Sequence, residues 1–201
     1  FKQKTAYEIG VRLVGSEMCI RDRGISAGGY LSIEGAIIQM INHGITSGAL
    51  FMLVGFLYER RHTRNISSFG GIKITMPKYA AIFLFTSFAS IGLPGLNGFV
   101  GEFMILMGSY DHYKVLTSIA AFGVVLAAIY MLWAYQRIFT GPISNDKNEN
   151  LKDLNIRETL SIAPLMLLML FIGIYPSFIE SFVIQEAGFL SETIALFKDV
   201  N

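Results

Sequence analysis

The stretch from Ile91 to Phe103, IGLPGLNGFVGEF, places helix breakers and an acid inside a long apolar segment. The breakers are small or cyclic residues that recur every few positions: Gly92, Pro94, Gly95, Gly98 and Gly101. From Tyr79 to Met107, Glu102 is the only formally charged side chain. A charge at the centre of a membrane helix costs about 2.5–3.5 kcal/mol on insertion scales, so this combination requires a reason.

Composition predicts an all-α integral membrane protein. The 201 residues are 53% hydrophobic and 15% charged, whereas an average soluble domain is about 25% charged. Apolar residues form four blocks long enough to cross a bilayer, which predicts four transmembrane helices over about 34–58, 79–108, 115–136 and 159–179. The net charge of +1 and the lack of a basic stripe predict no nucleic-acid partner. The single cysteine excludes an internal disulfide framework or a cysteine metal cluster.

The second block is too long for one straight helix. Residues 79–108 would measure about 45 Å, against a hydrocarbon core about 30 Å thick. Pro94 removes a backbone donor and clashes with the preceding turn. The sequence therefore predicts two half-helices, about 79–91 and 97–108, joined by an irregular piece. Broken backbone at membrane depth persists only where protein or an aqueous cavity satisfies it.

Glu102 is the first candidate for chemistry. Burial disfavours the ionised form of a carboxyl, so a buried glutamate can take up and release a proton near neutral pH. A broken helix also brings water and free backbone groups to such an acid. We therefore predict a proton-relay role for Glu102. The alternative is a neutral acid that is hydrogen-bonded to a neighbouring helix.

Polar side chains share one face of the first block, with i, i+3, i+4, i+7 spacing at Gln39, Asn42, His43 and Thr46. Histidine titrates near physiological pH, so His43 is a second relay candidate; a neutral histidine that bridges two helices is the alternative. Gln39, Asn42 and Thr46 could hold ordered water beside it or bond across helices. No metal site is predicted, because no second ligand stands four residues after His43.

Basic residues predict how the chain is oriented. The loop 59–78 contains five Lys and Arg residues and the loop 137–158 contains four, whereas 109–114 and the tail 180–201 contain one each. Because basic residues mark cytoplasmic loops, both basic loops are predicted to be cytoplasmic and the C-terminus to lie on the outer side. Apolar residues scattered through the tail predict a helix at the membrane interface.

Residues 1–23, FKQKTAYEIGVRLVGSEMCIRDR, do not fit the membrane pattern. They are polar and lack the apolar region of a signal peptide. They resemble a translated sequencing-adapter sequence that recurs at the ends of assembled reading frames, so we predict a non-native leader over 1–23 and a membrane domain over 24–201. A disordered polar N-terminus is the alternative.

Two long blocks, IEGAIIQMINHGITSGALFMLVGFLYERRHTR and FASIGLPGLNGFVGEFMIL, closely resemble the subunit M (chain 4) type of proton-translocating NADH–quinone oxidoreductase, respiratory complex I. The resemblance runs from about Gly24 to the C-terminus. It implies a fourteen-helix antiporter-like fold, of which this chain would supply the last four helices with the second discontinuous. It also implies that Glu102 is the key acid at the outlet of a proton channel and that His43 lies on a central hydrophilic axis.

The implied function is that of a membrane-arm subunit in the bacterial inner membrane, which couples NADH oxidation and quinone reduction to proton pumping. Its partners would be other membrane-arm subunits, the lipid bilayer and protons. NADH, FMN, iron–sulfur clusters and quinone would be bound by other subunits, since this chain has no dinucleotide, Walker or cysteine-cluster motif. Further relay residues of the family would lie upstream of this chain.

Two other functions remain open at this point. One is a subunit of a multi-subunit cation/proton antiporter or membrane-bound hydrogenase, which would share the fold. Related subunits often have lysine at the position of Glu102, so the glutamate favours complex I. The other is a purely structural scaffold, for which replacement of Glu102 would change neither assembly nor transport.

Overall fold

The computed structural model describes residues 20–199, with side chains described to residue 196; this range contains helices and turns and no strand. Residues 1–19 of the predicted leader lie outside the described residues, whereas residues 20–23 belong to the first helix. The helices are α1 (20–27), α2 (Tyr30–Arg61), α3 (Ile72–Thr75), α4 (Pro77–Ser90), α5 (Asn97–Tyr110), α6 (Lys114–Phe139), α7 (Ile156–Ile174) and α8 (Ser177–Asp199).

Helix α2 is the longest element and packs against α4, α5, α7 and α8. Its 32 residues form about 48 Å of helix and include the whole predicted block 34–58. The helix ends where His62 adopts a left-handed φ of 50° and donates its backbone N–H to the Tyr58 carbonyl at 2.7 Å. These four helices are therefore arranged around α2.

The second block consists of two half-helices, as predicted. Helix α4 ends at Ser90 and α5 begins at Asn97, and each has 14 residues. Pro77 occupies the first turn of α4, where its missing N–H leaves no hydrogen bond unmade. Residues 91–96 between the two helices are turns and bends. The break therefore lies within one residue of each predicted boundary.

Glycines bring α2 and α5 into close contact. A Cβ atom added to Gly35 would lie 2.7 Å from the Met104 Cβ, and one added to Gly108 would lie 2.5 Å from the Ser32 backbone nitrogen. Small residues at a helix interface allow such close approach of two backbones. Because Gly35 pairs with Met104 while the earlier Ser32 pairs with the later Gly108, the two helices run antiparallel.

Within the described residues, α2, α6 and α7 are each long and apolar enough to cross a membrane. Helix α6 includes the whole predicted block 115–136. Helices α4 and α5 have 14 residues each, so neither is long enough to cross a membrane alone. A fourth crossing would need both of them end to end. The chain is thus an all-helical membrane protein, and the count of four crossings stays a prediction.

The predicted fourth block, 159–179, is wrong at its end. Helix α7 stops at Ile174 and α8 starts at Ser177. Pro176 has no backbone N–H and disfavours helical backbone in Tyr175, so the chain turns there. The predicted tail helix is present as α8, which packs against α2; its Val183 and Ala187 belong to a buried cluster that also contains Val100 of α5. Its position at a membrane interface stays a prediction.

Gly173 in α7 contacts the break directly, which predicts a measurable effect on stability. A Cβ atom at this position would overlap the Gly95 carbonyl oxygen and the Leu96 Cα, both of which are backbone atoms. Gly173→Ala should therefore lower the free energy of unfolding by about 1–3 kcal/mol, as overpacking does. Thermal unfolding in detergent measures it.

The matched control for that variant is Gly123→Ala in α6, where an added Cβ meets nothing within 4 Å. Alanine is favoured over glycine inside a helix, so this control should be neutral or slightly stabilising. Equal thermal stability of the two variants would contradict the close packing of α7 on the break.

Candidate functional site

The break between α4 and α5 is a turn made possible by two glycines. Gly92 has φ 70° and Gly95 has φ 91°, a left-handed backbone that other residues rarely adopt. The turn is closed by backbone hydrogen bonds from Leu93 N to Phe88 O at 3.1 Å and from Leu96 N to Leu93 O at 3.0 Å. Pro94 lies at the centre of this turn and has no donor of its own.

Glu102 lies in the second turn of α5 and is only 6% exposed. Its carboxyl packs against the break: a Cβ atom added to Gly92 would lie 2.5 Å from Glu102 Oε2. One turn earlier, a Cβ atom on Gly98 would overlap the Ala89 carbonyl oxygen of α4. Gly92 therefore provides the space for the Glu102 carboxyl, and Gly98 provides the space for the Ala89 carbonyl at the same break.

Asparagine side chains join the start of α5 to α2. Asn42 donates from Nδ2 to the Asn97 carbonyl oxygen at 2.7 Å, and Asn97 Nδ2 donates to the Asn42 carbonyl oxygen at 3.4 Å. Asn42 is 1% exposed and Asn97 is 0% exposed. This reciprocal pair fixes the first turn of the half-helix that contains Glu102.

Three amide oxygens in this region have no hydrogen-bond partner within the described part of the chain: Gln39 Oε1, Asn42 Oδ1 and Asn97 Oδ1. Gln39 lies one turn before Asn42 and packs against Gly101, next in sequence to Glu102. A buried acceptor left without a donor costs about 1–3 kcal/mol, so such oxygens in native proteins normally bind water. Water at Gln39 and Asn42 stays a prediction, whereas the bonds between Asn42 and Asn97 are of the alternative kind, across helices.

The remaining predicted residues of α2 have different surroundings. Thr46 is buried, but its hydroxyl donates to the Asn42 carbonyl of its own helix at 2.9 Å. His43 is half-buried and follows Asn42 in sequence. Thr46 thus occupies the predicted face while its hydroxyl proton is used within α2. Within residues 20–199, no group of three His, Cys, Asp or Glu side chains could hold a metal ion.

Asn97 is a site residue that the sequence did not identify. Its polarity at the first position of a half-helix suggested only a helix boundary. The one available signal was a second asparagine, Asn42, at a similar depth in an adjacent apolar block. Without the antiparallel pairing of α2 and α5, nothing connects two asparagines that are 55 positions apart.

The broken helix with a buried carboxyl and adjacent buried amides defines the class: a helical membrane protein with a discontinuous helix that contains an acid. The chain belongs to the transmembrane family of NADH:quinone oxidoreductase and Mrp antiporter subunits, whose sequence model matches residues 16–129. That match includes the break, Glu102 and His43. The match begins at residue 16 and so overlaps the last residues of the leader predicted over 1–23. The leader itself stays a prediction.

Similar proteins support the same assignment. NADH-quinone oxidoreductase subunit M of Rhodobacter capsulatus is 42% identical over 160 residues, which are 80% of this chain and 31% of that protein. The subunit M of Rickettsia bellii is 46% identical over 145 residues, or 72% of this chain and 29% of that protein. The chain therefore spans about a third of the length of these curated relatives.

A solved structure shows the same helix arrangement. A chain of respiratory complex I from Thermus thermophilus with bound NADH superposes with a TM-score of 0.77 at 30% identity. The superposition covers 88% of this chain and 37% of that chain. The expected antiporter-like membrane fold is confirmed.

Proposed function

We propose that this chain is part of a proton-translocating membrane-arm subunit of an NADH–quinone oxidoreductase. One observation carries the proposal: a buried glutamate, Glu102, packs against the glycine turn of a broken helix. A carboxyl in that position can alternate between protonated and ionised forms, because the turn gives it access to water and to free backbone groups. The antiporter-like fold of the family supports this use.

The proton path uses groups on both helices. Glu102 takes up a proton from the interior and passes it to the outer side of the membrane. His43, one position after Asn42, exchanges protons with Glu102 through water that is held by Gln39 and Asn42. Their unpaired oxygens accept hydrogen bonds from such water, and Asn97 adds a third acceptor. Gly92 leaves room for the carboxyl against the break, and Gly98 lets α5 approach the Ala89 carbonyl of α4.

The redox steps belong to other subunits of the assembly. In this proposal NADH, FMN, iron–sulfur clusters and quinone are bound by those subunits. Electron transfer in those subunits drives the change in protonation of Glu102 through the membrane arm. The protein lies in the bacterial inner membrane, with loops 59–78 and 137–158 cytoplasmic and the C-terminus outside.

Replacement of His43 tests the path from the interior. His43→Gln in the complete subunit should lower NADH-driven proton transfer into sealed vesicles by about 100-fold, the usual contribution of a proton-transfer group. Glutamine keeps hydrogen-bonding capacity but does not titrate. The measurement is the initial rate of vesicle acidification, divided by the amount of assembled complex.

The control for that test is His112→Gln, the same change at an exposed histidine between α5 and α6. It should leave proton transfer unchanged. If the His43 variant transferred protons as well as this control, His43 would not belong to the path.

Transport of sodium in place of protons by the unaltered protein would instead support the antiporter function.

A further inference from the structure

Arg60 lies in the last turn of α2, outside the Glu102 site. Its side chain joins α2 to α7 and to the loop before α7. Its guanidinium makes two hydrogen bonds to Glu158 of α7: Nη1 to Oε1 and Nη2 to Oε2, both at 2.7 Å. It also donates from Nε to the Lys152 carbonyl at 2.8 Å and from Nη2 to the Asp153 carbonyl at 3.3 Å. The paired side chains are only 15% and 12% exposed. We call this set of contacts the Arg60 junction.

The Arg60 junction reaches the start of α4 through Asp153. The Asp153 carboxylate accepts hydrogen bonds from the backbone N–H groups of Lys78 at 2.9 Å and Tyr79 at 3.1 Å. These are first-turn donors that have no partner inside the helix, and a carboxylate there is also favoured by the helix dipole. The Tyr79 hydroxyl donates to the Leu53 carbonyl of α2 at 2.8 Å. The first turn of α4 is thus fixed to α2 in two ways, directly through Tyr79 and by way of the junction through Asp153.

The other end of α4 is the break. Its 14 residues form a rod of about 21 Å. At the end of this rod, the Ala89 carbonyl packs against Gly98, and Gly92 packs against the Glu102 carboxyl. A helix of this length moves as one body, so a shift of its first turn is transmitted to Gly92.

We infer that Arg60 is a positioning residue for the Glu102 site: through Glu158 and Asp153 it sets the position of α4 and, with it, the Gly92 turn against the Glu102 carboxyl. The effect on transport rests on the proposed function, whereas the effect on α4 does not. The excess of basic residues in cytoplasmic loops explains a positive charge at position 60, but any Lys or Arg would supply it. The bidentate, partly buried pair and the two carbonyl contacts are specific to a guanidinium at this position.

The position of α4 is measured directly with spin labels in the complete subunit within its complex. Labels at Ala81→Cys on α4 and Met107→Cys on α5 occupy exposed positions, in a form of this subunit that has no other cysteine; the cysteines of the other subunits are kept. Arg60→Gln should broaden or shift the distribution of distances between them. Lys73→Gln removes the same charge from the same basic loop at an exposed side chain, and it should leave the distribution unchanged.

A second variant keeps the inference testable if the Arg60→Gln protein does not fold or assemble. Glu158→Gln removes the ion pair while the guanidinium keeps its bonds to the carbonyls, so a smaller broadening is expected. The exchanged pair Arg60→Glu with Glu158→Arg should narrow the distribution again relative to Arg60→Glu alone. A distribution that is the same in Arg60→Gln, Lys73→Gln and the unaltered protein would overturn the inference.

Proton transfer gives the functional measurement. A misplacement of about 1 Å at a reacting group can lower a rate by about 100-fold, so we expect a loss between 10-fold and 100-fold in Arg60→Gln for each assembled complex. Loss of assembled protein with unchanged transfer in each remaining complex would show a merely structural role and would overturn the inference. If Glu102→Gln itself left transport intact, the proposed function would fail while the label distances still decided the position of α4.

Discussion

Glu102→Gln is expected to abolish proton transport by the complete subunit while the broken helix keeps its fold. Glutamine has nearly the shape of glutamate, but its amide neither gains nor loses a proton in the physiological range. No other acid lies between Tyr79 and Met107, so the broken helix has no substitute. A loss of at least about 100-fold is expected for removal of an essential proton-transfer group.

The measurement is the rate of NADH-driven acidification of sealed inverted vesicles for each assembled complex, together with coupled quinone reduction. Glu59→Gln makes the same chemical change at an exposed residue near the end of α2 and should be indistinguishable from the unaltered protein. Glu102→Asp keeps a carboxyl and should retain part of the activity. Full transport by Glu102→Gln would remove the residue from the mechanism and favour a structural scaffold.

Gly92→Ala is expected to have an effect of similar size without altering any titratable group. Two costs arise. The backbone has φ 70°, which disfavours alanine by about 1–2 kcal/mol, and the new Cβ would lie 2.5 Å from Glu102 Oε2. The carboxyl must therefore leave its place against the turn. Since a displacement of about 1 Å can cost about 100-fold, proton transport should fall by that order.

Gly95→Ala separates the two costs. Gly95 has φ 91°, so alanine is strained there as well, but its Cβ would meet nothing within 4 Å. Both variants should lose thermal stability, whereas only Gly92→Ala should lose most of its proton transport. If both variants transported protons equally well, the carboxyl would not depend on its contact with the Gly92 turn.

The broken helix could be predicted from sequence because its causes are local. Pro94, the glycines and a length too great for one span are all visible within about thirty residues. The boundaries of α4 and α5 therefore agree with the prediction to within one or two residues. The boundary between α7 and α8 was missed because apolar side chains continue on both sides of Pro176, and apolarity was given more weight than the proline.

The contacts that position the site could not be predicted in the same way. Arg60 and Glu158 are 98 positions apart, and Asn42 and Asn97 are 55 positions apart. Each partner taken alone has an ordinary interpretation, as a basic residue of a loop or a polar residue at a helix end. Their pairing depends on how α2 packs against α5 and α7, which the spacing of residues within one helix does not reveal.

The break also places the N-terminus of a helix inside the protein, close to a carboxyl. Helix α5 begins at Asn97, and the first N–H groups of a helix have no partner within that helix. The Glu102 carboxyl contacts Gly92, which precedes this N-terminus in the same turn. A continuous helix at this depth would pair those N–H groups internally, so the break is what leaves backbone donors for other partners beside the acid.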